Sequence, residues 1–138
     1  MKTIKDYITA LEAAHLFNDS GHLTRFKDLM DCFFHFPFFT KGLCKCMYLS
    51  AWDNDHFAIM LQTLNEMSLG MEQNTNDMRI QGNLLAQKHT GGEYYIYQLS
   101  NAFLDNAPFQ LDDTVCLDDT CRHIISQALK ASEIIDHL

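Results

Sequence analysis

The chain has 138 residues, a length suited to one domain with a core large enough to fold without disulfides or a structural metal. Its 47% hydrophobic and 20% charged composition excludes a disordered or fibrous chain, and no apolar run approaches the roughly 18 residues of a membrane span. The formal charge is −8, from 18 acids and 10 bases, and the cations are sparse and scattered, which argues against binding to nucleic acid or to an anionic membrane surface. Asp6, Glu12 and His15 interrupt the first 20 residues, so these do not read as a signal peptide. Five cysteines without an export signal point to reduced thiols in the cytoplasm.

Seventeen leucines, nine isoleucines and seven methionines stand against a single valine and two prolines, a balance that favours helix over buried strand. Thr3 reads as an N-cap with Asp6 as the acid of a capping box. Ile4, Tyr7, Ile8, Leu11 and Ala14 then recur at helical spacing up to a stop at Asn18-Asp19-Ser20-Gly21. A second stripe, Leu23, Phe26, Leu29, Met30 and Phe33, predicts a helix ending near His35, because Pro37 disfavours helix at the residue before it. Residues 43–51 are ambiguous: their alternation allows a strand, whereas Leu43, Met47 and Ala51 fit a helix. Asp53 or Asp55 caps the next helix, with Phe57, Met60, Leu61, Leu64, Met67 and Met71 on its stripe.

Asn74-Thr75-Asn76-Asp77 opens a further helix that Gly91-Gly92 closes. Tyr94, Tyr95 and Tyr97 around Ile96 favour a strand locally, yet Leu99, Ala102 and Phe103 continue a helical stripe from Tyr95. Residues 105–117 read as a loop. The last helix starts near Asp118-Asp119-Thr120 and buries Cys121, Ile124, Ile125, Ala128, Leu129, Ile135 and Leu138. The expected fold is therefore a single all-α domain over 1–138, a compact bundle of five to seven helices. The alternative is an α+β fold in which 43–49 and 93–99 pair as strands.

No sequence-local catalytic motif is present, neither a phosphate-binding glycine loop nor a nucleophile elbow nor an H-E-x-x-H helix. Glu12-Ala13-Ala14-His15 supplies only half of a di-iron pattern and reads as a solvated face. Cys44, Cys46, Cys116 and Cys121 lack the spacing and the turn glycine of zinc knuckles. Cys32 and His35 share a helical face, but Asp31 and the neighbouring apolar rings would raise the thiol's pKa, so Cys32 reads as core. The chain is expected to have no catalytic activity, metal or cofactor.

Two patterns are functional candidates. Five phenylalanines fall within residues 33–39, beside a methionine series of Met60, Met67, Met71 and Met78. Rings that stay exposed, together with flexible methionines, suit an adaptable surface for a partner helix. Phe34, Phe38, Phe39, Met60, Met67 and Met71 are thus the expected partner-binding residues, with Phe33 in the core. The function this implies is protein–protein binding, as an adaptor, regulator or immunity or antitoxin-like inhibitor, or association as a homodimer through Phe38 and Phe39.

The second pattern is a resemblance. Phe33-Phe34-His35-Phe36-Pro37-Phe38-Phe39-Thr40-Lys41 resembles the end of the second globin helix with its Pro-led short helix. Leu85-Ala86-Gln87-Lys88-His89 resembles the globin leucine-x3-histidine segment. The resemblance implies a haem pocket with His89 as the proximal iron ligand and Met60 or Gln62 near the distal side. The chain departs from the globin pattern in lacking a distal histidine and in carrying the extra segment 43–51.

Overall fold

In a computed structural model of the chain, residues 2–69, 93–110 and 118–138 are described. Among them are six helices and no strand: α1 (Ile4–Ala13), α2 (Ser20–Phe33), α3 (Lys41–Ser50), α4 (Asn54–Ser68), α5 (Glu93–Asp105) and α6 (Asp119–Asp136). The all-helical reading holds, and the strand alternative for 43–49 and 93–99 is overturned, since these residues lie in α3 and α5. The two segments nevertheless pack against one another, as helices. The helix expected between Asn74 and Gly91 lies outside the described residues.

The helix starts follow from local chemistry. Thr3 and Asp6 close a reciprocal capping box, and the side chains of Asp19, Thr40, Asp53 and Asp118 each accept a backbone N–H from the first turn they cap. Asp19 therefore begins α2, where the sequence pattern gave Asn18–Gly21 as the stop of α1. The stop of α1 lies earlier. His15 takes the left-handed conformation (φ 57°), the Leu16 N–H donates to the Leu11 carbonyl (3.1 Å) and the His15 N–H to that of Glu12 (3.0 Å). This is a Schellman finish with histidine where glycine is usual. Asn106 (φ 53°) ends α5 in the same manner, through Ala107 N–H to the Ala102 carbonyl at 2.8 Å.

The core is organised around α3, whose residues 43–50 are all buried. It packs most extensively against α5 and α6 and also against α2 and α4, while α1 lies across α2 and α6. A helix enclosed on every side has no polar face, which explains its indistinct periodicity. At the α3–α5 crossing the backbones come very close: a Cβ on Gly42 would collide with the Phe103 carbonyl oxygen.

Two side chains of α2 cap the far end of α3. The buried His22 ring places Nε2 3.0 Å from the Tyr48 carbonyl. Arg25 donates from Nε to the Ala51 carbonyl (2.6 Å) and from a terminal nitrogen to that of Trp52 (3.0 Å). Carbonyls at the end of α3 and just beyond it are thereby satisfied. Among the described residues, no helix is long and apolar enough to cross a membrane.

Candidate functional site

The aromatic segment forms the corner between α2 and α3. Phe33 ends α2 and is buried, while Phe34, Phe38 and Phe39 are half-buried against the core. The chain turns twice, with Phe36 N–H donating to the Phe33 carbonyl and Phe39 N–H to that of Phe36, each at 3.1 Å. Thr40 then caps α3. Pro37 consequently sits in a turn and opens no helix of its own, contrary to the globin-like expectation.

The corner sorts its rings into two groups. Phe34 and Phe39 meet edge to face at 4.9 Å, and Tyr7 of α1 meets Phe34 edge to face at 5.8 Å, so this group fastens α1 to the corner. On the other side Phe36 and Phe38 stack in parallel, with centroids 5.2 Å apart and an interplanar angle of 10°. They rest on Phe33, at 6.0 and 6.5 Å respectively. Phe36 is 37% exposed and is one of three large apolar side chains on the described surface, the others being Leu69 and Tyr94.

The expected site residues are thus only partly brought together. Phe34 and Phe39 serve mainly to join α1 to the corner, whereas Phe38 reaches the surface stack. Met60 and Met67 are 4% and 7% exposed. They pack the core from α4 and do not line an accessible groove, because the stripe that carries them is the one α4 turns inward. Met71 and His89 lie outside the described residues. Gln62 is exposed on α4, apart from the buried Met60. Phe36, which the sequence does not single out, is the most accessible phenylalanine of the corner. Its available signal was its place directly before Pro37, where the chain must leave the helix and its ring can leave the core.

The remaining candidate side chains form no common site among the described residues. Cys32 is exposed, not core, because the buried stripe of α2 runs through Leu29, Met30 and Phe33 and leaves position 32 on the wet side. Glu12 and His15 are both exposed. Cys44 is buried with its thiol 4.0 Å from the Met30 sulfur, and burial pushes that thiol's pKa up. Cys46 donates to the Ser100 carbonyl at 3.4 Å, Cys121 is buried on α6, and Cys116 lies outside the described residues. Among the described residues, no three His, Cys, Asp or Glu side chains are gathered in the manner of a metal site.

No protein-family model, curated protein or solved structure matches this chain.

Proposed function

We propose that this chain acts by binding another protein, through the corner formed by Phe36, Pro37 and Phe38, as a cytoplasmic adaptor, regulator or inhibitor without catalytic activity. The observation that carries this reading is the parallel Phe36–Phe38 stack, held at the surface by turns on either side and seated on buried Phe33. A ring fixed in place before contact loses little freedom on binding, and large aromatic anchors dominate the energetics of many interfaces. The net charge of −8 favours a basic partner, chiefly through the rate of encounter.

Paired capture experiments from the native host test the reading, with wild type and a Phe36→Ser variant as baits. A partner retained by wild type and lost by a variant of unchanged melting temperature supports it. Identical recovery by the two baits contradicts it. Sedimentation of the purified chain at high concentration distinguishes a foreign partner from a second copy: a dimer dispersed by Phe36→Ser would make the partner the chain itself.

A further inference from the structure

His22 lies in the core with 1% of its surface exposed, and both ring nitrogens are committed to backbone groups. The Asn18 N–H donates to Nδ1 at 3.2 Å, so that nitrogen carries no proton. Nε2 stands 3.0 Å from the Tyr48 carbonyl oxygen, which can only accept, so Nε2 carries the ring's hydrogen. Geometry thus selects the neutral ring and one tautomer. We propose that His22 is an acid-sensitive latch: a proton arriving at Nδ1 breaks the join between the α1–α2 connection and the last turn of α3.

The incoming proton would point at the Asn18 N–H, setting two donors against each other. The surroundings give the cation little help. The Phe17 ring meets the imidazole edge-on at 5.3 Å and the Tyr48 ring lies across it at 4.7 Å. Burial disfavours the charged form and lowers the ring's pKa, the Tyr48 carbonyl works the other way, and Arg25 and Asp19 act in opposite senses. Asp19 already accepts the His22 backbone N–H at 2.8 Å. The Tyr48 phenol is the titratable group facing the ring from α3. Asp53 at the head of α4 acts on Arg25, and His123 of α6 reaches the Asn18 side chain at 3.1 Å.

Either the ring leaves its place or the backbone at Phe17–Asn18 moves. Directly before that segment, the Leu16 carbonyl accepts from the Tyr48 hydroxyl, and His15 and Leu16 make the Schellman finish of α1. One proton at His22 therefore loosens the α1–α2 connection and the start of α2 from the last turn of α3.

The direction with pH follows from linkage. Above the ordinary histidine value of about 6.5, His22 is neutral folded or unfolded and its full contribution to stability is present. Below it the unfolded chain takes a proton that the folded ring refuses, so the contribution is progressively lost as pH falls towards the lowered folded value.

Nitrogen-resolved NMR of the imidazoles in the full chain, from pH 7.5 to 5.0, tests the latch directly. The His22 ring is expected to keep the Nε2–H tautomer while folded. As pH falls, the opened state is expected to grow, read as faster amide exchange, a loss of protection, at Leu16. Smooth protonation of His22 within the folded protein, with that protection retained, would overturn the proposal. His22→Gln keeps a donor but cannot take the proton. Between pH 7.5 and 5.5 its unfolding constant should rise about tenfold less than that of wild type, and an unchanged pH slope would equally overturn the latch. If the variant does not fold, the wild-type titration decides.

Discussion

Lys45 of α3 and Asp136 of α6 form an ion pair 2.7 Å long, in which 8% of the lysine side chain but 52% of the aspartate is exposed. The lysine head also lies 5.7 Å from the centre of the Phe103 ring. Nearby, Lys41 donates to the Asp136 and Leu138 carbonyls at 3.1 and 2.9 Å. Two lysines one turn apart on α3 thus hold the end of α6, where the helix dipole favours cations. Removing Asp136 strands a buried charge, though water at the exposed side softens the loss. Asp136→Ala is expected to cost about 1–2 kcal/mol, whereas Lys45→Met, which removes the charge and keeps the bulk, is expected within about 1 kcal/mol of wild type. Urea midpoints compare the two.

The corner divides into rings that hold the fold and rings available to a partner. Phe33 is 2% exposed, so Phe33→Ala is expected to destabilise by about 3–5 kcal/mol through the cavity it leaves. Phe39→Ala loses the contacts to Tyr7 and Phe34 and should cost roughly 1–3 kcal/mol, since the ring is only half-buried. Phe36→Ala should cost less than about 1 kcal/mol. Denaturant titration of the three variants, with association measured in parallel, checks the order. Equal, severe losses at all three positions would remove the distinction between core and surface.

Gly42 stands where α3 and α5 approach most closely. Helix propensity alone would make Gly42→Ala favourable by about 1 kcal/mol. The collision with the Phe103 carbonyl is backbone on one side and cannot be relieved by a rotamer change. The helices must separate, and a net loss of roughly 1–3 kcal/mol is expected. A stabilised Gly42→Ala variant would contradict the close crossing.

His15 offers the opposite case. It is exposed and held at φ 57°, a conformation costly to a residue with a Cβ. His15→Gly is expected to raise stability by about 0.5–1 kcal/mol after the added freedom of the unfolded chain is subtracted. Thermal melting near neutral pH measures it.

The parts of this fold legible in the sequence are those governed by neighbours along the chain. Thr3, Asp53 and Asp118 announce helix starts because an N-cap and the amide it serves lie within three residues. Helix α3 resisted reading because burial on all sides erased its polar face. The true stop of α1 was hidden because histidine seldom fills a left-handed cap, and Asn18–Gly21 offered a more familiar signal. His22 and Lys45 were invisible as buried polar residues, since Tyr48 and Asp136, which each of them meets, come from distant parts of the chain. For the site, the phenylalanine cluster was visible as a cluster. Which ring emerges depends on how two turns orient the corner, and they expose Phe36, which the sequence did not single out, while Phe39 packs half-buried against the core.

The most direct test is the affinity of the captured partner for wild type and for Phe36→Ala, measured by titration calorimetry under identical conditions. If the Phe36–Phe38 stack is the anchor, Kd should rise at least about tenfold, equivalent to roughly 1.4 kcal/mol, while the melting temperature stays within a few degrees. An unchanged Kd with the fold intact would contradict binding through this corner.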